Sequence, residues 1–158
     1  MTELQITMLL HFIGVGVLFT ALLGGIILGG QYAKAADYNS KATILKAMRP
    51  IGLLSPLAIL LMLATGLGNW HALAWFQEGW LHTKITLFFI AAILGTIFGI
   101  RAKKRAGLIM KLADGSAPEG TNAQVAAMDK QFKIFYIVQS ILIFSILFLS
   151  VVKPGRGF

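Results

Sequence analysis

Hydrophobic positions fall into four long runs with hardly a charged residue among them, at 5–30, 50–70, 81–100 and 132–152. Each run, coiled as an α-helix, crosses the roughly 30 Å hydrocarbon core of a bilayer. The pattern predicts an all-α protein, a four-helix transmembrane bundle within a single integral membrane domain spanning residues 1–158. The first run carries Glu3 ahead of it instead of a basic region, and it outlasts the 7–15 residues of a signal-peptide core. It is therefore expected to remain as the first helix.

Polar positions separate these runs. Arg49-Pro50 is expected to open the second helix, because proline suits a first turn and its predecessor avoids helical angles. Ser55-Pro56, one turn further, should bend that helix. The connection "HALAWFQEG" is short, and Trp70, Trp75 and Trp80 lie in or beside it. Indoles prefer the headgroup level, so this segment should lie flat on the membrane surface. The connection before the last run centres on the turn-rich "DGSAPEGTN". Leu108, Ile109, Leu112, Val125 and Met128 flank that turn at helical spacing, so the third and fourth helices should extend past the membrane.

Composition agrees with lipid as the solvent. Of the residues, 57% are hydrophobic and 13% charged, and mean hydropathy is +0.78. A soluble domain carries about a quarter charged residues. The net charge of +8 is distributed as topology requires. Lys34, Lys41, Lys46 and Arg49 stand between the first two runs; Arg101, Lys103, Lys104, Arg105, Lys111, Lys130 and Lys133 stand between or beside the last two. The positive-inside rule then places both basic connections in the cytoplasm and both termini on the outer, periplasmic side. The run "RAKKRAG" marks topology and attracts anionic headgroups; nucleic acid is excluded as a partner. With no cysteine in the chain, neither disulfides nor thiolate metal sites can form.

Small residues recur as Gly14, Ala21, Gly25 and Gly29 in the first run and as Gly95 and Gly99 in the third. Such ladders let helix backbones approach closely, and packing within one bundle is the expected use. They also suit a homo-oligomer or a place in a larger membrane complex.

Ionisable side chains inside a membrane are costly and mark candidate sites. No Asp or Glu falls within the four runs, which weakens proton-pump and cation-transporter readings. His11 lies about one turn below the outer end of the first helix, and His82 and Lys84 open the third from the same side, with His71 nearby. Two neutral imidazoles on different helices at similar depth can ligate one haem iron from opposite faces. His11 could equally hydrogen-bond to another helix, and His71 and His82 could be wet interfacial residues. Lys84 stands about 200° around the helix from His82, so the two cannot share a face. It either snorkels to the headgroups or points inward as a partner for a propionate or another anion. Gln139 and Ser140 are expected to bond between helices. No phosphate-binding glycine loop, nucleophile elbow or HExxH motif is present.

The order "LLHFIGVGVLF", a basic residue and proline at Arg49-Pro50, "LATGLGNW", "GWLHTKITL" and a terminal "VVKPG" resembles one superfamily over nearly the whole chain. It contains HemJ-type protoporphyrinogen oxidases, copper-resistance D proteins and uncharacterised small integral membrane proteins. "FTALLGGIILGGQYAKA" stands where HemJ-type proteins carry an arginine- and tyrosine-bearing stretch, which brings the chain closer to the uncharacterised branch. The resemblance implies a bacterial inner-membrane bundle that binds b-type haem or a related tetrapyrrole. The important HemJ-type histidine and lysine map onto His11 and Lys84, and Arg49 is carried as a further cofactor contact. Three functions follow as expectations: an electron carrier or small complex subunit with His11 and His82 as haem ligands, a HemJ-like protoporphyrinogen oxidase, or a cofactor-free assembly protein.

Overall fold

A computed structural model describes residues 2–72 and 79–153, with Trp70 and Ala72 described by backbone alone. Four helices follow in order: α1 Glu3–Lys34, α2 Tyr38–Ala72, α3 Gly79–Ala113 and α4 Thr121–Val152. Each contains a run long and apolar enough to cross a membrane. Their exteriors are apolar as well. Phe12, Leu53, Leu60, Ile93, Ile141 and Phe148 each expose more than half of their surface. An outside of this kind is untenable in water, and its solvent is the lipid bilayer.

The helices have 32, 35, 35 and 32 residues. At 1.5 Å per residue they are roughly 50 Å long, some 20 Å more than the hydrocarbon needs. The excess lies where the charges cluster, so the bundle continues past its apolar band at the end bearing the two basic connections. That end is called the basic end below, and the opposite one the terminal end.

Neighbouring helices run antiparallel in a steady register. Along α1 and α2, Thr7 meets Asn69, His11 meets Thr65 and Gly24 faces Ile51. Along α3 and α4, Ala91 meets Gln139 and Arg105 meets Asp129. α2 also packs on α3. α1 and α4 touch mainly through side chains, among them the edge-to-face pair Phe19–Phe144 at 5.8 Å and Tyr136 against Gly25.

At the basic end, Tyr32, Ala42, Leu45, Ile109 and Val125 form a buried apolar cluster drawn from all four helices. Beside it, Arg105 is 4% exposed and lies between the rings of Tyr32 and Phe132, 4.7 and 3.9 Å from their centroids. It donates to Asp129 at 3.2 Å, and the Tyr32 hydroxyl donates to the other oxygen of that carboxylate at 3.1 Å. The extension of the third and fourth helices thus follows the sequence reading, with Ile109 and Val125 in its core.

The start of the second helix needs correcting. α2 begins at Tyr38 and runs through both Pro50 and Pro56. The stretch before Pro50 buries Ala42 and Leu45 in the basic-end cluster, and that packing holds the helix across a residue that removes one backbone hydrogen bond. Asp37 precedes α2 and accepts from the Ser40 amide at 2.8 Å and from its hydroxyl at 2.7 Å. These bonds hold its carboxyl below the usual range and satisfy a donor of the first turn. Between α3 and α4 the chain turns through Gly115 and Gly120 at φ 76° and 79°, where a side chain would be strained.

The two glycine ladders are used differently. A Cβ on Gly25 would lie 2.9 Å from Tyr136, so α1 does exploit its small residues for contact. Gly95 and Gly99 of α3 have nothing within 4 Å of the equivalent point, so their spacing serves no packing inside this bundle. The expected flat connection falls largely on residues 73–78, outside the described residues. Trp80 is buried at the start of α3, with the Lys153 ammonium 6.0 Å from its ring.

Candidate functional site

Four polar side chains of the terminal half meet along one seam. Residues four apart share a helix face, so Thr7 and His11 of α1 look the same way, as do Thr65 and Asn69 of α2. Antiparallel register brings the two pairs together. Thr7 donates to Asn69 Oδ1 at 2.7 Å, and His11 Nδ1 is hydrogen-bonded to Thr65 Oγ1 at 3.0 Å. Thr65 is 6% exposed and Asn69 9%, while His11 is half-buried. A Cβ added to Gly66 would sit 3.4 Å from His11 Cε1, so the Nδ1–Cε1 edge of the ring rests against the α2 backbone. The hydrogen bond to another helix, which stood as the plain alternative for His11, is present. It engages Nδ1, and the Met62 backbone carbonyl is a second polar neighbour of the ring.

α3, which packs on α2, brings Lys84 to the same end. Its side chain is half-buried, and its ammonium lies within electrostatic reach of His11. Lys153, at the end of α4, is in turn within reach of Lys84. His82 is exposed, as the 200° separation requires. Its carbonyl accepts from the Thr86 hydroxyl at 2.9 Å. His71 is also exposed. Of the two candidates at the mouth of α3, Lys84 is the less exposed and the one within electrostatic reach of His11. Arg49 is exposed on α2, about 24 Å along the helix from Thr65 at 1.5 Å per residue, and is not brought to the seam.

Electrostatically the seam is one-sided. Among the described residues the carboxylate at this end is that of Glu3, exposed in the first turn of α1. A base and two ammonium groups thus lie at one end of the bundle, where a low-dielectric surround makes charge costly. No cluster of three or more His, Asp or Glu occurs among the described residues, so a metal caged by several such side chains does not suit them. A groove of about 570 Å³ lies elsewhere, on the outer face of α4 between Ser140 and Leu149. It is apolar and open, the shape of a lipid-facing surface.

Sequence reasoning passed over Thr7, Thr65 and Asn69. Their signal was the matching spacing of four in both helices, which acquires meaning only with the register. Gln139 donates across to the Ala91 carbonyl at 3.3 Å as expected, but Ser140 bonds back to Tyr136 of its own helix at 2.7 Å.

Comparison of the chain with known proteins finds no matching family model, no similar curated protein and no similar solved structure.

Proposed function

We propose that this chain is a multi-pass protein of the bacterial inner membrane, with both termini on the outer side, that binds b-type haem or a related tetrapyrrole at its terminal end. In this reading it serves membrane redox chemistry as an electron carrier or a small subunit of a larger complex. The observation that carries the proposal is the approach of Lys84 to His11 inside an apolar bundle. An imidazole supplies an iron ligand, and a neighbouring ammonium matches a propionate. The donor set fits the group: His11 offers an imidazole, and Lys84 adds positive charge at the same end. The order of motifs around His11 and Lys84, which resembles the HemJ-type superfamily, supports the same assignment.

When bound, haem supplies one-electron exchange at iron. The chain's own contribution is to hold the ligand nitrogen, offset the charge of the carboxylates and keep the site dry between helices. Lys153 adds to the positive field, and His82 faces outward, so the proposal rests on His11 and Lys84.

The absorption spectrum of the full chain, purified in detergent from haem-replete cells, tests this. A Soret band with sharp α and β bands on reduction is expected, and His11→Ala should abolish or shift them. A colourless preparation sinks the proposal, and an unshifted spectrum in the variant removes His11 as ligand.

A further inference from the structure

The Thr65 hydroxyl has two neighbours and one proton. Its oxygen lies 2.6 Å from the Leu61 carbonyl and 3.0 Å from His11 Nδ1. Two oxygens 2.6 Å apart repel unless a proton lies between them, so the hydroxyl proton is directed at Leu61. Only a lone pair of Thr65 is then left for His11, and Nδ1 must carry the hydrogen that fills it. The contact of Gly66 with the Nδ1–Cε1 edge fixes the ring on the same side.

We propose that Thr65 is a positioning residue: it holds His11 as the Nδ1–H tautomer, so that Nε2 carries the lone pair and is the ligating nitrogen. This deepens the haem reading and rests on it for its purpose, although the tautomer itself is a property of the protein alone. Ligating histidines are commonly oriented in this way, by a partner on the nitrogen that does not meet the metal. Thr65 suits the task because it is buried and its proton is already committed to its own helix. Its oxygen can only accept from the ring. A residue with a free donor would select the other tautomer and occupy Nδ1 with its own hydrogen.

The test uses the full chain in micelles with ¹⁵N-labelled histidine, His11 being identified by the signal lost in His11→Ala. Long-range ¹H–¹⁵N correlation at neutral pH should report Nδ1–H for His11 in the unmodified protein and in Thr65→Ser. In Thr65→Val, which keeps the shape and removes the acceptor, the Nδ1–H state should no longer dominate. Nε2–H in the unmodified protein, or an unchanged tautomer in Thr65→Val, overturns the proposal. Haemin titration forms a second arm: Thr65→Val should bind about 10- to 100-fold more weakly, and Thr65→Ser should restore binding. Full affinity in Thr65→Val overturns the positioning role. Absence of binding to the unmodified protein defeats the haem reading, while the tautomer is still decided by the nitrogen signals.

Discussion

The two ends of this bundle spend their polar residues differently. At the basic end, Arg105, Asp129 and Tyr32 join three helices around one carboxylate, next to Ile109, which has no exposed surface. At the terminal end, His11 and Thr65 join two helices, and Lys84 adds a charge from a third. At the basic end the Arg105 guanidinium is paired with Asp129 beside an apolar cluster. At the terminal end Lys84 and Lys153 are alike in sign. The physical reason for the difference is the solvent. Where the helices emerge from lipid, water drives apolar burial and the hydrophobic effect can assemble a core; within lipid it cannot, and small residues and polar pairs must do the packing. Among the described residues the enclosed ion pair thus lies at one end, and the half-buried histidine and lysine lie at the other.

The sharpest break in this division is His11→Ala. On the haem proposal it should abolish or shift the haem bands while changing stability by only about 0.6 kcal/mol, the average for a polar contact between membrane helices. Spectra and unfolding in mixed micelles measure the two effects; a large stability loss would make His11 a structural residue instead.

Ile109→Ala should cost about 3–4 kcal/mol, because a fully buried side chain leaves a cavity. Ile93→Ala, on the lipid-facing surface of α3, should cost close to nothing. Equal losses in denaturant titrations of the two variants would erase the contrast between the ends.

Asp129→Ala strands the Arg105 guanidinium among Tyr32 and Phe132 and should cost about 3 kcal/mol. Adding Arg105→Met should recover most of that loss, since the buried charge is then gone. A double variant no more stable than the single one would show that the ion pair is not the source of the penalty.

The smallest effect is expected at Gly95. With open space around it, Gly95→Ala should stabilise α3 by about 0.5–1 kcal/mol through helix propensity. Destabilisation accompanied by a change in oligomeric mass would instead mean that this face packs against another chain.

Much of the architecture was legible in the residues. Apolar runs of membrane length announced four helices, and the spacing of Leu108, Ile109 and Val125 announced their continuation beyond the bilayer. Arg49-Pro50 misled, because a local rule about proline was overridden by the packing of Ala42 and Leu45 further up the same helix. The glycine ladders looked alike and were not: Gly25 meets Tyr136, while Gly95 meets nothing within 4 Å. Arg105 and Asp129 were visible only as members of a basic connection and a polar flank.

Hydropathy and charge, which are sums over neighbouring residues, determined by themselves the lipid environment, the number of helices and the end at which the basic residues gather. Helical period alone separated His82 from Lys84, since two residues on one helix turn by a known angle. Which of them is the more buried was a question of how α3 is rotated about its own axis against its neighbours, and only the tertiary structure decided it, in favour of Lys84. The same holds for Thr65: its distance of 54 positions from His11 in the chain conceals a contact of 3.0 Å, made by antiparallel register and by nothing local to either residue.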